Sequence, residues 1–194
     1  MRTISVTMSM TLDGVVQGLG RPDEDTRDGF DLGGWGPAYS DEVMGREMGA
    51  GMAEPGDMLL GRRTWQDFAG YWPHQPANPI TDHLNAVTKL VVSTTLADVD
   101  AWQNSVLLPG DAVASVGALK TEPGPNLSVI GSAALVRSLH AAGLIDVYTL
   151  LIHPLVLGRG RRMFDVTSPL TEFTLKRSVA TTTGVVIATY RRNA

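Results

Sequence analysis

Short apolar runs, each closed by small or hydroxyl-bearing residues, set the elements this chain is expected to form. Thr3 to Met8 alternates weakly and predicts a first strand that leads into Ser9-Met10-Thr11-Leu12-Asp13-Gly14. Gly18 to Pro37 is rich in Gly, Asp and Pro and reads as a long mobile loop. A helix follows from about Tyr39 to Met52, with Ser40 as its expected N-cap, Asp41 and Glu42 in its first turn, and Met44, Met48 and Met52 as an apolar stripe. Met58 to Leu60 and Leu90 to Val92 predict a second and a third strand. Between them a loop from Pro73 to Pro79 precedes a short helix ending near Asn85. Val106 to Leu108 predicts a further strand, and Asp111 to Lys120 a helix broken by Glu122-Pro123-Gly124-Pro125.

The clearest unit runs from Leu127 to His153. A strand from Leu127 to Ile130 meets Gly131-Ser132, a helix carries Leu135, Val136 and Leu139 on one face, and Gly143 precedes a strand from Asp146 to Ile152. Strand–helix–strand with such short joints implies parallel strands. Beyond Pro154 the pattern changes: Phe173 to Val179 and Val185 to Tyr190 flank Thr181-Thr182-Thr183-Gly184 as a closing antiparallel hairpin. No repeat or linker divides the chain. The expected fold is therefore a single three-layer α/β/α domain, residues 1–194, on a mixed, mostly parallel sheet with a C-terminal antiparallel hairpin.

Composition narrows the function classes. At 194 residues, 43% hydrophobic and 19% charged, the chain is long and apolar enough for one buried core. A formal charge of −4 argues against a general nucleic-acid binder or a polybasic membrane-surface protein, so an anionic ligand must find local positive charge. The absence of cysteine removes disulfides, thiolate catalysis and Cys-ligated metals. The first residues lack the apolar run of a signal peptide and no stretch approaches a membrane span, so a soluble cytoplasmic protein is expected.

Three turns then carry the chemistry: Gly61-Arg62-Arg63-Thr64 after the second strand, Ser93-Thr94-Thr95 after the third, and Gly131-Ser132 before the late helix. Free N–H groups at helix starts carry partial positive charge and favour phosphate. Three such turns along one sheet suit a ligand with several phosphates, such as a dinucleotide. Arg62, Arg63, Ser93 and Thr94, with no acidic residue among them, favour a 2′-phosphate over a free ribose hydroxyl, hence NADPH over NADH. The Gly158-Arg159-Gly160-Arg161-Arg162-Met163 stretch lacks the third glycine of a Rossmann fingerprint.

Gly61-Arg62-Arg63-Thr64-Trp65, Lys89-Leu90-Val91-Val92-Ser93-Thr94-Thr95-Leu96, Ile130-Gly131-Ser132, Gly143-Leu144-Ile145-Asp146 and His153-Pro154-Leu155-Val156-Leu157-Gly158-Arg159-Gly160 with Phe164 resemble one family. It is the dihydrofolate-reductase-like superfamily, in the branch that contains the reductase domain of bacterial riboflavin biosynthesis. The opening Ser9-Met10-Thr11-Leu12-Asp13-Gly14 and the closing Thr183-Gly184-Val185-Val186 fit the same pattern. The resemblance implies an NADPH-dependent reductase of a pterin- or ribosylamino-pyrimidine-like substrate. Its alternatives are a weak dihydrofolate reductase or a non-catalytic NADP-binding protein of the same fold. It further implies that Gly61, Arg62, Arg63 and Thr64 lie near the pyrophosphate and adenosine end of the cofactor, Ser93 and Thr94 at the 2′-phosphate, and Gly131 and Ser132 under the pyrophosphate. Pairing into a homodimer through a sheet edge and the C-terminal region belongs to the same implication.

For the chemical step, folate reductases use a carboxylate on the first helix, and Asp41 is the best placed here, beside the Met44 and Met48 stripe; its alternative role is to stabilise the helix dipole alone. Asp13 next to Gly14 either orients nicotinamide or substrate, or shapes its turn. Trp35, in the glycine-rich loop, is a candidate lid over an aromatic ligand. Arg159, Arg161 and Arg162 either meet an anionic substrate or are surface charge. Asp23, Asp25, Asp28 and Asp31 do not fit a calcium loop, and the four histidines lack metal-ligand spacing, so no metal is expected.

Overall fold

The strand predicted at the start of the chain, β1 (Ile4–Thr11), lies inside an eight-stranded sheet rather than at its edge. The computed structural model describes residues 1–193. In chain order the remaining elements are α1 (Glu42–Ala53), β2 (Gly56–Gly61), α2 (Arg62–Ala69), α3 (Pro79–Ala86), β3 (Lys89–Ser93), β4 (Ser105–Pro109), α4 (Ala112–Thr121), β5 (Asn126–Ile130), α5 (Ala133–Ala141), β6 (Val147–His153), β7 (Phe173–Ala180) and β8 (Val186–Arg192). The strands are ordered β4-β3-β2-β5-β1-β6-β8-β7. The six from β4 to β6 run parallel, and β8 and β7 complete the sheet as antiparallel strands. The expected α/β/α arrangement is the observed one. The predicted β5–α5–β6 unit also stands, with β1 inserted between its two parallel strands.

Side-chain alternation assigns the layers. On one face Ile4, Val6, Met8, Leu59, Leu127 and Val129 pack with Val116 of α4 and with Leu135, Val136 and Leu139 of α5. On the other, Met58, Leu60 and Val91 meet Trp65 of α2 and Leu84 of α3. Further along that second face, Leu151, Val185 and Ile187 meet Met44 and Met48 of α1, as the methionine spacing predicts.

Two local expectations are corrected. Helix α1 starts at Glu42 with Asp41 as its N-cap, not Ser40, because Asp41 takes the extended conformation and accepts the Met44 amide at 2.8 Å. Residues 37–39 form a separate 3₁₀ turn. The Gly18–Pro37 segment is a built loop rather than a free one. Gly34 N donates to Gly18 O, Gly36 N donates to Leu19 O, and the Gln17 amide donates to the carbonyls of Asp25 and Arg27. Ion pairs tie the loop outward: Arg21 to Asp67 of α2, and Asp28 and Asp31 to Arg161 and Arg159.

Candidate functional site

Because β3, β2, β5, β1 and β6 are parallel, their C-terminal ends share one edge of the sheet, the usual ligand side of an open α/β sheet. The three turns singled out by sequence close three adjacent strands there: Ser93 ends β3, Gly61 ends β2 and Ile130-Gly131-Ser132 ends β5. Asp13-Gly14 follows β1 and His153 ends β6, so the edge continues without a break.

The β2 and β5 turns are joined by two hydrogen bonds. Gly61 N donates to Ser132 Oγ at 3.0 Å, and Ser132 N donates to Thr64 Oγ1 at 3.1 Å. Gly131 and Ser132 both sit in the left-handed region, at φ 63° and 55°. For Ser132 that conformation costs about 1–2 kcal/mol, and the two bonds offset it. A Cβ on Gly131 would approach Thr64 Cγ2 at 3.4 Å. The starts of α2 and α5 are thereby held side by side.

Neither start has a side-chain cap, whereas α1, α3 and α4 are capped by Asp41, Asn78 and Asp111. The first-turn amides of α2 and α5 therefore remain free, with the positive end of each helix dipole behind them. Arg62 and Arg63 open α2 and, among the described residues, pair with nothing. Arg21, Arg27, Arg159, Arg161 and Arg162 are all paired with aspartates. No cluster of three metal-ligating side chains occurs among the described residues.

Other predicted site residues are placed as follows. Ser93 is buried and its Oγ accepts the amides of Thr95 and Leu96, so its oxygen serves its own turn; Thr94 beside it is exposed. Asp13 accepts from Thr11 Oγ1, from the amides of Leu157 and Gly158, and from Arg162 at 3.3 Å. Burial pushes its pKa up, but the bonds from Thr11, Leu157 and Gly158 outweigh it and hold the carboxyl below the usual range. Gly14, at φ 81°, closes the turn with its N–H on Thr11 O. Asp41 caps α1 and also accepts from the amide and hydroxyl of Thr182 and the amide of Thr183, which lowers its pKa to about 2, the Met44 bond contributing most. Both of its oxygens are committed to holding α1 on the β7–β8 turn. Trp35 is buried, donates Nε1–H to Gln17 O at 2.8 Å, and packs edge-on against His153 at 5.0 Å.

His153, before Pro154 at a strand end, reads from sequence as a structural histidine, and it closes β6. It is 1% exposed, lies between the rings of Trp35 and Tyr39, and has no hydrogen-bond partner on either ring nitrogen. Burial lowers its pKa, which keeps it neutral. Lys89, also buried, has its pKa lowered to about 8 by desolvation. It stands at the start of β3, at the opposite end of the sheet, where its ammonium donates to the last carbonyls of α3 and lies over Trp102.

A family model described as the RibD C-terminal domain matches residues 2–187. The chain belongs to the RibD C-terminal domain family. The chain is 26% identical over 141 residues to the uncharacterised protein YyaP of Bacillus subtilis (strain 168), a match that covers 70% of this chain and 73% of YyaP. Its fold is that of a Shewanella sp. PV-4 protein assigned by description to riboflavin biosynthesis, with a TM-score of 0.69 at 20% identity over 99% of each chain. It is also that of a pyrimidine reductase-like protein of Corynebacterium diphtheriae, with a TM-score of 0.66 at 10% identity, covering 100% of this chain and 92% of that one. The family follows, and with it the fold, a single α/β/α domain on a mixed, mostly parallel sheet. No helix is long and apolar enough to cross a membrane.

Proposed function

We propose that this RibD C-terminal family member is an NADPH-dependent reductase of a heterocyclic, pterin- or ribosylamino-pyrimidine-like small molecule. The observation that carries the reading is the joined pair of uncapped helix starts, with the unpaired Arg62 and Arg63 beside them. Free amides, two dipoles and two guanidinium groups fit a pyrophosphate and a 2′-phosphate. Gly61, Thr64, Gly131 and Ser132, bonded to one another, would set the free first-turn amides of α2 and α5 around the pyrophosphate, and Arg62, Arg63 and Thr94 would hold the 2′-phosphate, with Ser93 shaping the last turn. NADPH, when bound, supplies a hydride.

The chain's own residues then bind, orient and exclude water. Asp13, ionised near neutrality, is a positioning residue: it fixes the Leu157-Gly158 loop against the end of β1, and it is not a proton donor. Gly14 gives the backbone close approach at that same end. Asp41 is left to α1 and the hairpin, which removes the folate-type carboxylate and disfavours dihydrofolate reductase. Trp35 acts from above, as the wall over His153. The same lack of a free α1 carboxylate favours, as a second reading, a protein that binds NADP without turnover.

The test is a titration of the purified chain with NADPH and with NADH, followed by melting temperature. Ligand that binds only the native state raises it by linkage. A saturable rise with NADPH and little with NADH is the expected outcome; no rise with either rejects the cofactor assignment. Oxidation of NADPH in the presence of a pyrimidine or pterin separates the two readings.

A further inference from the structure

The ring of His153, level with Thr11 of β1, is a joint between two parts of the fold. On one side stands Trp35 of the Gly18–Pro37 loop, edge-on at 5.0 Å. On the other stands Tyr39, edge-on at 5.5 Å, which packs with Leu151, Val185 and Ile187 in the body of the domain. A phenylalanine would make both contacts. The imidazole makes them while leaving two buried nitrogens without a partner, so it stabilises the joint less than a hydrocarbon ring would. What the imidazole adds is a site for a proton.

Trp35 connects that joint to the rest of the loop. Its Nε1–H holds the carbonyl of Gln17, whose side chain donates to the carbonyls of Asp25 and Arg27 and accepts the Arg161 amide at 3.0 Å. Farther out Arg21 pairs with Asp67, so the loop runs from the end of β1 to α2, across the edge on which the three turns lie. The loop's other anchors are Phe30, buried against Gly18 and Gly160, and ion pairs of arginine with aspartate. None of these is a histidine. Among the described residues no free carboxylate faces the His153 ring either. Asp13, near Thr11, accepts from Thr11, Leu157 and Gly158; Asp41, near Tyr39, accepts from Met44, Thr182 and Thr183. On α1, Glu47 pairs with Arg177 and Glu42 is exposed, while the hairpin brings Val185 and the mutually bonded hydroxyls of Thr181 and Thr183. Tyr39 adds a phenol. Burial is what lowers the pKa of His153, with no charged neighbour adding to it or opposing it.

We propose that His153 is a positioning residue: neutral, it latches the Gly18–Pro37 loop to the body of the domain through Trp35, and protonated, it releases Trp35 and lets the loop open. An imidazolium at this joint has no acceptor and no water, and an unpaired buried charge is costly. Opening wets the ring and removes that cost. The closed joint therefore disfavours the proton, whereas the open one takes it near the ordinary value of 6.5. Closure is complete above that value and is lost as pH falls through it and below. The latch belongs to the chain itself. Its consequence, faster exchange of ligand at the edge in acid, rests on the cofactor reading given above.

Amide hydrogen exchange of the full chain, read by peptide mass spectrometry at pH 7.5 and pH 5.5 and corrected for the intrinsic pH dependence of exchange, tests it. Protection of residues 18–37 falls about 5- to 10-fold between the two values, the span of one histidine titration over that window. Protection of β1, β5 and β6 does not change, because the opening is local. In His153→Phe, which keeps a ring between Trp35 and Tyr39, the loop is protected equally at both pH values and at least as well as in the wild type at pH 7.5. A second measurement needs no change at position 153: the emission of Trp35, taken as wild type minus Trp35→Phe, shifts to the red over the same window. The proposal is overturned by wild-type loop protection that is independent of pH, by a pH dependence that persists in folded His153→Phe, or by a Trp35 emission that does not move. NADPH release, followed by stopped-flow fluorescence, quickens between pH 7.5 and pH 5.5 in the wild type and not in His153→Phe. Loop opening in acid with no NADPH binding at either pH rejects the cofactor reading and leaves the latch standing.

Discussion

Helices α1, α3 and α4 begin with Asp41, Asn78 and Asp111, each of which folds its side chain back onto amides of the first turn; α2 and α5 begin with Gly61 and Ser132 and receive no such bond. The contrast is sharpest for α4. It too starts at the C-terminal edge of the parallel strands, after β4, and would offer the same free amides, but Asp111 accepts from Ala114 N and closes it. Ser132 has the chemistry of a cap and does not use it. Its Oγ turns sideways to accept the Gly61 amide, joining two helix starts at the expense of a left-handed backbone. A fold that caps three helices in the ordinary way leaves two neighbouring ones uncapped, and beside those two stand Arg62 and Arg63 without partners.

Converting one class of helix start into the other is the strongest test. Gly61 has an ordinary φ of −79°, and a Cβ there would meet its nearest neighbours at 3.6–3.7 Å, so Gly61→Asp is sterically permitted. A carboxylate capping α2 should raise stability by a few tenths of a kcal/mol and repel the phosphate, lowering NADPH affinity by about 3 kcal/mol, roughly 100-fold. Unchanged NADPH affinity in that variant would mean that the α2 start holds no phosphate. Next in size, Arg62→Ala or Arg63→Ala should weaken NADPH by about 1.5–3 kcal/mol. A loss confined to NADPH, with NADH unaffected, assigns that arginine to the 2′-phosphate; a loss for neither arginine removes both from the site.

The two classes of start were unequally legible in the sequence. Gly61-Arg62-Arg63-Thr64 and Gly131-Ser132 stand out because small residues after an apolar run are a local signal, and their strands proved adjacent. That Ser132 bonds Gly61, 71 positions away, is not local, and a propensity argument makes it a conventional cap. Distance in sequence also explains the Gly18–Pro37 segment. Its Gly- and Asp-rich composition reads as unrestrained, but Asp31 and Asp28 find Arg159 and Arg161 128 and 133 positions on. The alternation of β1, Ile4-Ser5-Val6-Thr7-Met8-Ser9, marks a strand. That this strand is a central one only the strand order reveals.

On the capped side the expected effects are on stability alone. Asn78 accepts the amides of Ile80 and Thr81, so Asn78→Ala should cost about 1 kcal/mol of stability with NADPH affinity unchanged; a parallel fall in affinity would erase the distinction between the two classes.

The smallest effect, and the one that bears most directly on chemistry, concerns Asp41. Its folded-state pKa of about 2 lies below the ordinary 3.8, so its contribution is complete above about pH 4 and is lost as pH falls towards 2. The unfolded chain binds the extra proton in that window, which makes stability rise with pH there. Asp41→Asn still caps α1 but loses the charge that accepts from Thr182 and Thr183. It should therefore flatten the acid limb of a melting-temperature profile and leave turnover at neutral pH as it was. If instead turnover falls while the neutral-pH melting temperature holds, the carboxylate acts on substrate after all, and α1 would join α2 and α5 among the helices whose first turn is proposed to face ligand.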